Sequence, residues 1–333
     1  MNITVGSMKV LISRNIPDTT AVRLMEEGFE VITAEKGKIW TSEELTKTCQ
    51  NVDFLLHRGG TALDANFFQN CSHLKGIALT SVGYNHVDIT AATKAGIPIS
   101  NTPDVLSEAT ADIALLLMLT VSRKAFFRAN QIIRGEWQGL GSTDDLGVEL
   151  YGKTLGIFGL GRIGLALARR AKVIYRMDII YYNRHRNVEG EREVDAVYVS
   201  FDELLKKSDV ISIHANLSSE TEDRFNATAF KKMKKSAIFI NTARGKIHNE
   251  VDLTEALVNG DIWGAGLDVT NPEPMLPSNP LLSISNVCVL PHIGSATVET
   301  RTKMALMAVN NLIAVKNGKK MPQVVNAEVY KMK

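Results

Sequence analysis

Thr154-Leu155-Gly156-Ile157-Phe158-Gly159-Leu160-Gly161-Arg162-Ile163-Gly164 is the stretch that decides the fold. Its first five residues are strand-like, and residues 163–172 carry a helical pattern. The run 159–164 is therefore G-x-G-x-x-G between a strand and a helix, the setting that separates a dinucleotide-binding fingerprint from a chance match. Gly159 permits the tight turn, Gly161 lets a pyrophosphate approach the backbone, and Gly164 lets the helix pack closely on the sheet. The helix start offers unpaired N–H groups and the positive end of its dipole to the phosphates.

The next strand, expected at 178–182, ends Tyr181-Tyr182-Asn183-Arg184-His185-Arg186. Dinucleotide folds that take NAD usually end this strand in Asp or Glu, which accepts from the adenosine ribose. Here Asn183 stands in that place, and Arg184 and Arg186 follow. A carboxylate would repel a 2′-phosphate, whereas arginine makes charge-assisted, two-point bonds to it. The expected cofactor is NADP. NAD is the alternative, if the arginines are only solvated loop charges.

Outward from this core, short apolar runs alternate with amphipathic stretches. Ahead of it, strands are expected at 9–13, 30–33, 54–56, 75–79 and 98–100, with helices at 18–27, 42–49 and 89–94. Behind it, strands at 210–214, 237–241, 265–269 and 287–290 alternate with helices at 201–206, 228–232 and 250–259, before a final helix at 298–317. Alternation of this kind implies parallel sheets covered on both faces. A helix expected at 107–124 is apolar nearly all round over 113–121, which suits a bridge between domains or a subunit interface. Residues 123–152 read as a long excursion toward a partner subunit. The fold reading begins at Met8, after Gly6-Ser7.

The chain has 333 residues, enough for about two domains. Lys and Arg number 38 against 36 Asp and Glu, a net charge of +2, so there is no basic excess to support a nucleic-acid partner. Cys49, Cys71 and Cys288 are widely spaced and form no CxxC pair, which argues against a disulfide framework and against a structural metal site. The longest apolar run, 113–121, is far short of a membrane span, and the N-terminus lacks a signal-peptide layout. The expected location is cytoplasmic.

Three polar residues fall just past expected strands of the second half: Arg244, Glu273 and His292. Ligands of open α/β sheets bind at the carboxyl ends of the strands, so the three are candidates to converge there. A ketone accepting hydride develops alkoxide charge, which a cation and a proton donor stabilise.

The chain resembles the D-isomer-specific 2-hydroxyacid dehydrogenases. The resemblance rests on Ser81-Val82-Gly83-Tyr84-Asn85 and on residues 159–164, 241–245, 266–274 and 291–297, in the family's order across nearly the whole chain. Within the family it is most similar to glyoxylate/hydroxypyruvate reductases, through 266–274, 292–297 and Asn310-Asn311-Leu312. The resemblance implies a Rossmann-type cofactor domain, 103–293, inserted in a flavodoxin-like substrate domain made of 8–102 and 294–333. It implies reduction of a small 2-keto acid and a homodimer formed through the cofactor domain. Arg244 would bind the substrate carboxylate and polarise the keto group, His292 would donate the proton, and Glu273 would hold the imidazole charged. The amides of Val82 and Gly83 would grip the carboxylate. Asp268 would hold the nicotinamide carboxamide, while Arg162, Ile163, Asn216 and Thr242 would line the cofactor, with Ala243 and Gly294 in the same stretches. His57 and Arg58 are expected to face the cleft, with Arg58 favouring a longer or acidic substrate. A 2-ketogluconate reductase is the alternative enzyme. A C-terminal-binding-protein-like interaction module, without turnover, is the alternative of a different class.

Overall fold

β1 (Met8–Ile12), β2 (Phe29–Thr33), β3 (Phe54–His57), β4 (Gly76–Leu79) and β5 (Ile99–Ser100) form one sheet. The structure is a computed structural model and describes residues 7–139, 143 and 145–331. The sheet order is β2-β1-β3-β4-β5, and every pairing is parallel. That is the doubly wound order of flavodoxin-like folds. Its strands are almost wholly apolar (Phe54-Leu55-Leu56 and Gly76-Ile77-Ala78-Leu79) because both faces are covered. One cover is the helix Val298–Lys316, which buries Ala308, Val309 and Leu312 against Val10, Phe54 and Ala78. The chain thus returns to its first sheet only after the whole second unit has been built.

The second sheet takes β6 (Thr154–Phe158), β7 (Asp178–Tyr182), β8 (Val197–Tyr198), β9 (Val210–Ile213), β10 (Ile238–Asn241), β11 (Gly264–Leu267) and β12 (Val287–Val289). Its order, β12-β11-β10-β9-β6-β7-β8, is parallel throughout, with β6 at the point where successive crossovers change direction. One side is covered by the helices Ser107–Ser122 and Arg162–Tyr175, which share a core with Leu155, Ile157 and Ile240. The other side holds an aromatic cluster in which Phe225, 0% exposed, meets Phe158 edge-on at 5.2 Å. Burying one such ring contributes on the order of 2–3 kcal/mol.

The two units are residues up to Leu106 with those from Ala296 onward, and Ser107–Ser295. The divisions fall at 106/107 and 295/296 rather than the expected 102/103 and 293/294. Ser107–Ser122 belongs wholly to the second unit, where Ala111, Ala114, Leu117, Met118 and Val121 are buried. Among the described residues, the α-helices Ala65–Asn70, Ala125–Ile133 and Val188–Val194, the two-residue β8 and the 3-10 turns Gly245–Ile247, Pro280–Ser283 and Ala327–Lys331 were not expected. Each is short, and β8 exists only because β7 offers it an edge. Ala125–Ile133 stands within the excursion read over 123–152, of which 140–142 and 144 lie outside the described residues. No helix among the described residues is long and apolar enough to cross a membrane. Cys49, Cys71 and Cys288 are free thiols, all buried.

Candidate active site

The glycine turn leaves β6 at Gly159, whose φ is +103°. A Cβ there would stand 2.6 Å from the backbone N of Ala215 and 2.8 Å from the carbonyl carbon of His214, so the loop after β9 permits only glycine. Gly161 caps the helix Arg162–Tyr175, and among the described residues beyond its own chain neighbours no atom lies within 4 Å of where its Cβ would be. The backbone of this turn is therefore open beside a helix N-terminus, the cradle a diphosphate requires. Asn183 accepts the Leu160 N–H on Oδ1 at 2.7 Å, and the Asn187 amide donates to the Leu160 carbonyl at 2.8 Å. The side chain that ends β7 thus holds the turn in shape. The residues fit a dinucleotide.

Past β7 the two arginines differ. Arg184 is largely exposed and meets Glu220 at 3.3 Å. Arg186 is held two-point by Glu191, at 3.0 and 2.7 Å, and Glu191 also accepts from the Tyr181 hydroxyl. The Arg186 and Tyr181 bonds keep the Glu191 carboxyl below its usual range. Arg184 is the cation less committed to the protein.

At the ends of β10, β11 and β12 three loops carry the remaining residues. Asn241, fully buried, accepts the Ala243 N–H at 2.9 Å and donates to the Arg244 carbonyl at 2.9 Å, which shapes the turn that projects Arg244. A Cβ on Gly245 would stand 2.1 Å from the Thr270 carbonyl oxygen, so the loops after β10 and β11 touch backbone to backbone. Arg244 donates to the Ala243 carbonyl at 2.6 Å; burial lowers its pKa, and the charge of Glu273 opposes that. His292 Nδ1 lies 2.6 Å from Glu273 Oε1. Burial raises the Glu273 carboxyl, but the His292 hydrogen bond and charge, the Thr270 N–H and Arg244 together bring it below its usual range. His292 has φ +53°, uncommon for a residue with a side chain and a feature of functional loops.

Asp268 explains how that conformation is held. It is 1% exposed, and its two oxygens accept the N–H groups of Ile293, at 2.8 Å, and Gly294, at 2.7 Å. Burial raises its pKa against the pull of those two bonds. Among the other expected cofactor residues, Thr242 is buried and lies 3.4 Å from His214 Nδ1, and the Asn216 carbonyl accepts from Thr221. Ile163 follows Arg162 in the first turn of the helix capped by Gly161. Asn241 and Glu250 went unread in the sequence. Glu250 binds Asn271 N–H at 3.2 Å and Asn279 at 2.6 Å, tethering the loop that bears Glu273. A strand-ending Asn before Thr-Ala-Arg-Gly is the signal that could have marked Asn241.

In the first unit, the Val82 carbonyl accepts from Asn101 and the Gly83 carbonyl from Ser81, at 2.8 Å each. Their N–H groups have no partner among the described residues. Arg58 is exposed and lines a cavity with Thr80 and Arg301. His57 does not join it, which corrects the expectation. The ring is 1% exposed, with Nδ1 at 2.9 Å from the Ser13 hydroxyl and Nε2 at 3.0 Å from the Thr61 carbonyl. Burial lowers its pKa to about 3, so it is a neutral core histidine. His57 is the last residue of β3 and Arg58 the first beyond it, and successive residues of an extended chain point to opposite sides, so the two meet different surroundings.

A parallel sheet in this order, with a glycine cradle at its switch point and polar side chains at its strand ends, defines a dinucleotide-binding domain. The profile described as D-isomer specific 2-hydroxyacid dehydrogenase, NAD binding domain matches residues 115–294. A glyoxylate reductase of Pyrococcus furiosus is 42% identical over 329 residues, 98% of this chain and 97% of its own. The crystal structure of a glyoxylate reductase from Paecilomyes thermophila is 34% identical with a TM-score of 0.85, covering 96% of this chain and 98% of that one. An NADPH-dependent glyoxylate/hydroxypyruvate reductase from Sinorhizobium meliloti, solved with NADP and malonate, is 31% identical with a TM-score of 0.84, covering 97% and 98%. The chain belongs to the D-isomer-specific 2-hydroxyacid dehydrogenase family and is an NAD(P)-dependent oxidoreductase.

Proposed function

We propose that this chain is an NADPH-preferring reductase of small 2-keto acids, glyoxylate and hydroxypyruvate, yielding glycolate and D-glycerate. The observation that carries the reading is the His292–Glu273 pair, 2.6 Å apart, in the same group of strand-end loops as the half-buried Arg244. The names of the similar reductases support the substrate class. The cofactor, when bound, supplies the hydride. Arg244 binds the substrate carboxylate and stabilises the negative charge that grows on the keto oxygen. Glu273 engages Nδ1 of His292 and so leaves Nε2 to donate a proton to that oxygen. The imidazole is left neutral, and solvent reprotonates it. In the first unit, the N–H groups of Val82 and Gly83, without a partner among the described residues, are donors suited to a carboxylate.

NADPH is preferred because Asn183 puts no charge beside the ribose and Arg184, held only by an exposed pairing with Glu220, can exchange it for a 2′-phosphate. The chain acts as a homodimer. Leu116, Phe126, Ile132, Ile133 and Trp137 are exposed, and the helix Ala125–Ile133 has no buried residue among the described residues. Light scattering on the purified protein reads that state directly. The activity is tested by the decay of NADPH absorbance with glyoxylate, hydroxypyruvate and 2-ketogluconate. Turnover of the first two, reduced about 10²- to 10⁴-fold in His292→Gln with NADPH binding retained, is the expected result. No turnover of any keto acid would overturn the reading in favour of an interaction module.

A further inference from the structure

A second feature of the first unit has no part in the chemistry above. Asn15, Ile16, Pro17, Arg58, Thr80, Arg301 and Ala305 line a cavity of about 180 Å³. It lies where β1, β3 and β4 end, beside the first turns of the helix Val298–Lys316. This is the carboxyl edge of a parallel sheet, where such folds bind ligands. The volume is small for a cofactor and suits a group of a few heavy atoms.

Its charge is one-sided. Arg58 and Arg301 both line it, and Arg14 stands within electrostatic reach of Arg58. None of the three makes a side-chain hydrogen bond or an ion pair among the described residues. Burial lowers the pKa of Arg58, with Arg14 lowering it further, and burial lowers Arg301, with Arg58 adding to it. Like charges gathered without a counter-charge oppose folding, unless something anionic joins them. The lining also includes Thr80, 5% exposed, whose buried hydroxyl has no hydrogen-bond partner among the described residues. A buried hydroxyl left unpaired is uncommon and calls for an explanation. The helix start beside Arg301, capped by Thr297, adds favourable potential of the same sign.

The geometry points to an oxyanion site in this cavity, taking a carboxylate or a phosphate group between Arg58 and Arg301 with the Thr80 hydroxyl as a further donor. Two sources share that chemistry: the second acidic group of a 2-keto acid, or a free anion. The first rests on the function proposed above, and chain geometry allows it. Thr80 is two residues before Val82, so their Cα atoms are within about 7.6 Å of one another. A substrate held by the Val82 and Gly83 amides could place a second acid in the cavity.

The probe is inorganic phosphate, titrated into the cofactor-free chain at constant ionic strength while the unfolding temperature is followed. A saturable rise is expected in the wild type, with binding weakened roughly tenfold or more in Arg301→Gln. Thr80→Val should weaken binding too, while the unliganded protein is as stable as the wild type or more so, since the substitution removes an unsatisfied hydroxyl. This arm reads the site even if the chain reduces no keto acid. The second arm compares kcat/KM for 2-oxoglutarate, 3-phosphohydroxypyruvate and glyoxylate. A substrate-borne anion is shown if Arg301→Gln loses about tenfold on a dianionic keto acid, leaves glyoxylate little changed, and phosphate competes with the dianion. A free anion is shown if phosphate binds at Arg301 without competing. The proposal is overturned if phosphate gives no rise, or the same rise in wild type and both variants.

Discussion

Asn183→Asp is the substitution that most directly tests the cofactor reading, because the structure says what it changes and what it leaves alone. Asn183 serves the glycine turn through its amide oxygen, 2.7 Å from the Leu160 N–H. An aspartate keeps that acceptor. The bond it loses, Nδ2 to the Leu160 carbonyl, is 3.5 Å long, and Asn187 already supplies that carbonyl at 2.8 Å. Folding should therefore change by less than about 1 kcal/mol. What is added is one negative charge where the proposed function puts the adenosine ribose. At about 5 Å and an effective dielectric near 20, each unit of phosphate charge is repelled by about 3 kcal/mol, and solvent screening roughly halves that. A shift of about 1.5–3 kcal/mol against NADPH is roughly 10- to 150-fold, and the ribose hydroxyls of NADH gain an ionised acceptor as well. The ratio of kcat/KM for NADPH over NADH should fall at least about 10²-fold, measured at fixed ionic strength. Arg184→Ala should lower NADPH use about tenfold and barely touch NADH, since its exposed pairing with Glu220 contributes little. A wild type that uses NADH as well as NADPH, or an unmoved ratio in Asn183→Asp, refutes the reasoning.

Arg244→Lys keeps the charge and loses the planar two-point grip, so kcat/KM should drop about 10²-fold or more with folding intact; near-native kinetics would make Arg244 structural. Gly245→Ala drives a Cβ to 2.1 Å from the Thr270 carbonyl, so denaturation should show a loss of about 1–3 kcal/mol or more, and an unchanged midpoint would contradict the close approach. His57 and His248 give a pH dependence, because burial lowers them from 6.5 to about 3 and about 4 in the folded chain. Above pH 6.5 neither state is protonated there; below it the unfolded chain takes up protons that the folded chain refuses, so stability falls as pH falls. Between pH 6.5 and 5 each histidine should remove about 2 kcal/mol, read by urea unfolding. A slope that does not flatten in His57→Gln would sink that account.

Much of this protein was legible in its sequence, for local reasons. The β6–turn–helix unit depends on neighbours along the chain, and periodicity with three spaced glycines suffices to specify it. The parallel α/β class followed from apolar strands alternating with amphipathic helices, and the family from motifs spread over most of the chain. Other features were decided only by packing between residues far apart in sequence. His57 and Arg58 are adjacent, yet one is sealed between Ser13 and Thr61 and the other opens on a cavity with Arg301. Arg184 and Arg186 read alike until Glu191 takes hold of the second. Asn241 reads as an ordinary strand-end residue and Asp268 as a cofactor contact implied by the resemblance, and only the folded loops show Asp268 turning the chain after His292 and Asn241 the chain before Arg244. A pattern of hydrophobicity records which face of an element is buried. It does not record which partner arrives there, because that partner comes from another part of the chain and is positioned by the whole sheet.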